Sequence, residues 1–124
     1  MDKNYIGWAS YLAPLVIGGQ ASELMTGELA DSFCSTDPLI AKNFARANWL
    51  SDHREYYKKS TLPSLIIQSK VDTLASIHVG SYLQKITPHS EIIIIDSEGH
   101  CPHMTHPILT SQTIKHYLSH GWLR

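Results

Sequence analysis

Two short apolar runs constrain this chain more than any other feature. "SLIIQS" (64–69) and "SEIIIID" (90–96) each carry consecutive branched residues without polar alternation. The four isoleucines at 92–95 favour β structure, because two substituents at Cβ restrict helical rotamers. Unbroken apolarity marks a strand buried on both faces, as in a parallel sheet. Between the runs, residues 76–86 read as a helix with Ser76 as cap and Val79, Leu83 and Ile86 turned inward. The pattern is a βαβ unit, so the two strands are expected to be parallel, with a right-handed crossover. Pro107 opens a final helix whose expected inward residues are Ile108, Ile114, Tyr117 and Leu118.

The preceding half has a different grammar. Residues 5–17, "YIGWASYLAPLVI", place Ile6, Ala9, Leu12, Ala13 and Val16 at helical spacing. Pro14 lies inside that run, where it predicts a kink or late break, and "GGQ" at 18–20 ends it. A second helix is expected over 22–33, with Ser22 as N-cap and Met25, Leu29 and Phe33 on one side. Asp37 followed by Pro38 is a helix start: a capping carboxylate, then proline at the first helical position. Ile40, Phe44 and Ala47 would line one face of that third helix. "SDHREYYKK" reads as a short polar helix or turn. The fold class is α/β: a helical segment, then a parallel βαβ unit and a C-terminal helix.

Composition narrows the partners. Lys and Arg total 10 against 11 Asp and Glu in 124 residues. No basic surplus exists to draw nucleic acid or an anionic membrane, and neither is expected as a partner. No apolar run is long enough to span a bilayer, and no signal peptide is recognisable at the start. Two cysteines, Cys34 and Cys101, make no disulfide framework, which suggests the cytoplasm.

The chemistry-bearing residues gather after the strands. Asp72 follows the first expected strand by three positions and His100 follows the second by four. Parallel neighbours end at one sheet edge, about 5 Å apart, where chemistry sits in such sheets. An acid held against an imidazole fixes its tautomer and steadies its charged form. The order acid-then-histidine is that of an α/β-hydrolase triad. Gly99 would ease a tight turn before the histidine. Each residue also has a plainer reading: Asp72 as a turn or cap residue, His100 as a surface histidine.

"SEGHCPHMTHP" (97–107) raises a rival. His100, Cys101, His103 and His106 are all possible zinc ligands. Their spacing is not a common zinc pattern, adjacent ligands rarely share an ion, and Pro102 and Pro107 stiffen the segment. His116 and His120, at i and i+4, could face one ion or simply water. Cys101 is a further possible nucleophile. No metal or cofactor is expected.

The segments "NYIGWA", "FCSTDPLIAKNFARA", "SDHREYYKKSTLPSLIIQS" and "GHCPHMTHP", with the final helix, resemble the C-terminal half of RsbQ-type α/β-hydrolases. These are bacterial partners in energy-stress activation of sigma factor B, related to the plant strigolactone and karrikin receptors. The resemblance implies that Asp72 is the triad acid and His100 the triad histidine. It implies that 1–50 is an incomplete lid, with 5–50 the last three of four helices in a V over a hydrophobic pocket, and that 51–124 is the C-terminal part of the core. Trp8, Leu12 and Trp49 match lid positions facing a small hydrophobic substrate or ligand; ordinary lid packing explains them equally well. His103 and His106 match no catalytic position and are expected to frame the loop or cap the helix at Pro107. A phosphatase of the sigma-factor pathway is the implied partner.

No G-x-S-x-G occurs in the 124 residues. The nucleophile elbow, oxyanion loop, first strands and first lid helix of such enzymes are unmatched, so the chain reads as the second half of a longer hydrolase, inactive by itself. Two strands cannot bury both faces and are marginal in water. The chain alone is expected to be unstable, aggregation-prone or dependent on a complementary partner.

Overall fold

The computed structural model describes residues 4–19 and 21–120. The element order is α1 (Tyr5–Ile17), α2 (Glu23–Ser35), α3 (Pro38–Leu50), α4 (Arg54–Lys58), β1 (Ser64–Val71), α5 (Ile77–Ile86), β2 (Ser90–Glu98), α6 (Pro102–Thr105) and α7 (Pro107–His120). β1 and β2 form one parallel sheet, with Ser64 opposite Ser90 and Ser69 opposite Ile95. One extra residue of β2 bulges before Val71 pairs with Glu98.

The helix starts follow local chemistry. The Ser22 hydroxyl accepts the Met25 N–H at 3.2 Å, and Asp37 Oδ1 accepts the N–H groups of Leu39 and Ile40 at 2.8 and 3.2 Å. Each side chain satisfies amides that the first helical turn leaves free. Ser76 heads α5 without a side-chain cap bond. Pro14 sits within α1, which continues to Ile17 and ends at Gly18, φ 94°. Gln20, the last residue of the expected stop, lies outside the described residues.

The core centres on α1. Ala9, Ala13, Val16 and Ile17 are buried on it, joined by Ile95 of β2 and Tyr117 of α7. Their i, i+4, i+7, i+8 spacing puts one stripe of α1 inward. The Tyr5 hydroxyl donates to the Phe33 carbonyl at 2.6 Å, and the Trp8 and Phe33 rings lie 6.0 Å apart, tying α1 to α2. α5 meets the sheet closely at Gly80, where a Cβ would come within 2.7 Å of Gln68 Oε1 and 3.0 Å of Ile92.

Several expected core positions are corrected. The strands are not buried on both faces, as expected of a sheet with only two of them: Ile94 is 47% exposed, and Ile92 and Ile93 are half-buried. Val79 on α5 and Ile108, Ile114 and Leu118 on α7 are exposed, as are Ile6, Ile40 and Phe44 on α1 and α3. The cause is geometric: among the described residues the sheet has only two strands, so α5 and α7 have little sheet to cover and the strands no further neighbours. Both strands also run further than the apolar runs, β1 to Val71 and β2 to Glu98. Asp72 therefore directly follows its strand and His100 follows by two positions, not three and four.

Candidate active site

Adjacent parallel strands deliver Asp72 and His100 to one edge. His100 Nδ1 lies 2.8 Å from Asp72 Oδ2. A carboxylate offers only acceptors, so Nδ1 carries a proton, and in the neutral ring Nε2 is the free base. The Asp72 side chain is 4% exposed and that of His100 46%. Burial alone would raise the Asp72 pKa. The Ala75 N–H, the His100 ring and the Leu74 N–H outweigh it and hold the carboxyl below its ordinary value. Asp72 Oδ1 accepts from Leu74 N at 2.9 Å and Ala75 N at 3.0 Å, which turns the loop back on itself.

A second layer fixes this loop. The buried Gln68 amide, on β1, donates to the carbonyls of Ser69 and Ala75 at 3.0 and 2.9 Å. Beneath the pair, Ser97 Oγ donates to Ser69 Oγ at 3.0 Å, a buried bond across the two strand ends. Sequence reasoning passed over Gln68. Its signal was a lone amide in an apolar run, which must find partners when buried.

The histidine loop is clasped by the end of α1. The Gly99 N–H donates to the Val71 carbonyl at 2.8 Å, and the His100 N–H donates to the Val16 carbonyl at 2.6 Å. Gly99 adopts φ 95°, and a Cβ there would meet the Ile17 carbonyl oxygen at 2.0 Å. Only glycine permits both the backbone angle and the approach. Glu98 Oε1 completes the clasp by accepting the Gly19 N–H at 3.0 Å.

A cleft of about 370 Å³ opens beside His100. Trp8, Leu12 and Trp49, singled out from the sequence, all line it. So do Tyr5, Val16, Phe33, Ile40, Phe44 and Leu74, which the sequence reading assigned to helix faces or a loop, or left unassigned. The lining is almost wholly apolar and aromatic, with His100 as its charge-capable group, a composition suited to a small hydrophobic molecule.

The remaining loop residues diverge. His103 is exposed, and His106 Nδ1 is 2.9 Å from Thr105 Oγ1. Thr110 Oγ1 bonds the Pro102 carbonyl at 3.0 Å, anchoring α6 to α7. Burial, then the Asp72 charge, push the Cys101 thiol up, which disfavours the thiolate a nucleophile needs. Among the described residues no three His, Cys, Asp or Glu side chains gather as a metal-ligand set. His116 and His120 stack with ring centroids 4.6 Å apart on an exposed face of α7. No helix among the described residues is long and apolar enough to cross a membrane.

Comparison with solved structures decides the fold. A hydrolase from Oleispira antarctica superposes with a TM-score of 0.92 at 48% identity, over 96% of this chain and 44% of that one. The chain has part of the α/β-hydrolase fold. The α/β-hydrolase relatives include a karrikin insensitive 2 receptor from Petunia hybrida, 32% identical over 97% of this chain and 44% of its own length. A probable esterase from Oryza sativa subsp. japonica is 30% identical over 97% of this chain and 45% of its own length. The chain thus spans less than half the length of these curated α/β-hydrolase relatives. No family model matches it.

Proposed function

We propose that this chain supplies the acid and the histidine of a serine hydrolase acting on a small hydrophobic ester-like molecule. The observation that carries the reading is the 2.8 Å contact between Asp72 and His100 at the mouth of an apolar cleft. The nucleophilic serine comes from polypeptide outside these 124 residues, which contain no G-x-S-x-G. In acylation, His100 Nε2 takes the proton as the serine oxygen bonds to the ester carbonyl carbon. It returns that proton to the departing alkoxide as the carbon–oxygen ester bond breaks. A water then repeats the sequence on the acyl-serine, releasing the acid and restoring the serine. Asp72 holds the Nδ1–H tautomer and stabilises the imidazolium. Residues 1–50 act as a lid and 51–124 as core, with Trp8, Leu12 and Trp49 contacting the substrate.

A fluorophosphonate probe is expected to leave the 124-residue chain unlabelled. Co-expression with the first half of the Oleispira hydrolase is expected to restore hydrolysis of 1-naphthyl acetate, and His100→Ala to abolish it. Labelling of the chain alone, or restored activity indifferent to His100, would overturn the reading.

The second reading is a regulatory module. The exposed apolar residues Leu39, Ile40, Phe44, Trp49 and Leu50 of α3 favour it, since they form a surface able to dock a protein. The resemblance to RsbQ-type proteins makes a phosphatase of a stress sigma-factor pathway, in the cytoplasm, the partner to try. Retention of such a phosphatase by the immobilised chain, lost on Phe44→Asp, would support this role; no retention would remove it.

A further inference from the structure

Two residues bear on the cleft and on the acid–histidine pair at once. Val16 lines the cleft, and its carbonyl accepts the His100 N–H at 2.6 Å. Leu74 lines the same cleft, and its N–H donates to Asp72 Oδ1 at 2.9 Å. One residue thus grips each member of the pair through the main chain and also borders the cavity. The grips are firm. Val16 is 7% exposed within α1, and the Gly18–Gly99 approach leaves no slack between that helix and the histidine loop.

We infer that Val16 and Leu74 are positioning residues, through which a molecule filling the cleft holds Asp72 and His100 in their 2.8 Å contact. An apolar occupant presses on both side chains. The pressure on Val16 is carried by the last turn of α1 to the His100 amide. The pressure on Leu74 is carried through its own amide to the Asp72 carboxylate. Neither residue touches the reacting atoms. Other wall residues, such as Phe44 on α3, contribute area to the occupant but, among the described residues, make no main-chain bond to the pair. The cleft is therefore asymmetric: two of its contacts are levers and the rest are lining. A molecule too small to reach both levers would bind without restraining the pair against opening, so selectivity would appear in turnover more than in affinity. The inference deepens the hydrolase reading and rests on it only for that last consequence.

The test needs no hydrolysis, which separates its failure from failure of the hydrolase reading. 4-Phenyl-2-butanone, an apolar ketone, is titrated into the chain, with binding read from tryptophan fluorescence. Exchange of the His100 and Leu74 amides is followed by hydrogen–deuterium exchange. Saturating ketone is expected to slow both amides by roughly tenfold, because the bonds they make must open for exchange. Val16→Ala is expected to lose the effect at His100 and keep it at Leu74. Leu74→Ala is expected to keep it at His100 and lose the ketone's effect at the neighbouring Ala75 amide, which bonds the same Asp72 oxygen. Phe44→Ala weakens binding but leaves both effects at saturation, and Val16→Ile, which keeps a branched wall residue, retains them if the smaller alanine variant unfolds. Ketone that binds without slowing either amide, ketone that does not bind, or a Val16→Ala chain that still protects His100 would each overturn the inference.

Discussion

The Asp72 carboxylate and the His100 imidazole meet at 2.8 Å although 28 positions separate them in the chain. The meeting follows from two strands running the same way and ending together. If the pair is a catalytic dyad, Asp72→Asn keeps its shape but offers an amide that can donate to Nδ1, reversing the tautomer. In the two-part enzyme this is expected to lower kcat by about four orders of magnitude, the size seen when a triad aspartate is so replaced. Steady-state kinetics with 1-naphthyl acetate reads it.

Acid should weaken the fold through the same carboxylate. The folded-state pKa of Asp72 is depressed, so its contribution is fully present above the unfolded value, about 4. That contribution is lost as pH falls through the folded value. Circular dichroism melts from pH 7 downward are expected to show a decline below about pH 4 that Asp72→Asn reduces. An unchanged acid limb would show that the bonds to Leu74, Ala75 and His100 contribute nothing.

Two glycines should respond oppositely to alanine. At Gly99 a Cβ meets the Ile17 carbonyl at 2.0 Å with φ at 95°, so Gly99→Ala is expected to cost about 2–3 kcal/mol and to loosen α1 from the histidine loop. At Gly27, inside α2, a Cβ meets nothing within 4 Å. Gly27→Ala is expected to stabilise by about 0.5–1 kcal/mol, since mid-helix glycine is entropically costly. Urea titrations followed by circular dichroism compare the two.

The helix starts carry measurable energy. Asp37 caps two amides of α3, and Asp37→Ala is expected to cost about 1 kcal/mol, whereas Asp37→Asn costs a fraction of that. Chemical denaturation of the two variants separates the hydrogen bond from the charge.

Bare apolar surface should drive self-association. Ile94 stands 47% exposed in the middle of β2. Analytical ultracentrifugation of the chain alone is expected to show concentration-dependent aggregates, and Ile94→Lys to suppress them by placing a charge on that surface. A monomer at all concentrations would contradict this.

The parts legible from sequence are those with local causes. Asp37-Pro38 and Ser22 mark helix starts by side-chain chemistry that acts within one turn. The four isoleucines mark β2, and the order of Asp72 and His100 marks a shared edge. Burial was misjudged at Val79, Ile108, Ile114 and Leu118, because apolar character says what a residue would bury, not whether a covering element is there. The strand ends were misjudged at Val71 and Glu98, because the ladder continues through polar residues once register is set. The α1 clasp left almost no trace, since Val16 acts through a carbonyl oxygen, which every residue has, and Ile17 through the close approach of its backbone. Gly99 alone hinted at it. The cleft was read in part from resemblance, at Trp8, Leu12 and Trp49. Its other walls, Phe33, Ile40 and Phe44, carry the same residue types as a core face.

The two-stranded ladder has a consequence for assembly. Among the described residues each strand has a partner on one side only, so each chain presents two different unfilled rails of amide and carbonyl groups. A molecule that can be extended from either rail is divalent for strand addition. Copies joining rail to unlike rail have no reason to close into a pair, and such growth runs on into filaments unless something blocks one side. A polypeptide that occupied even one rail would act as a chain terminator for that growth.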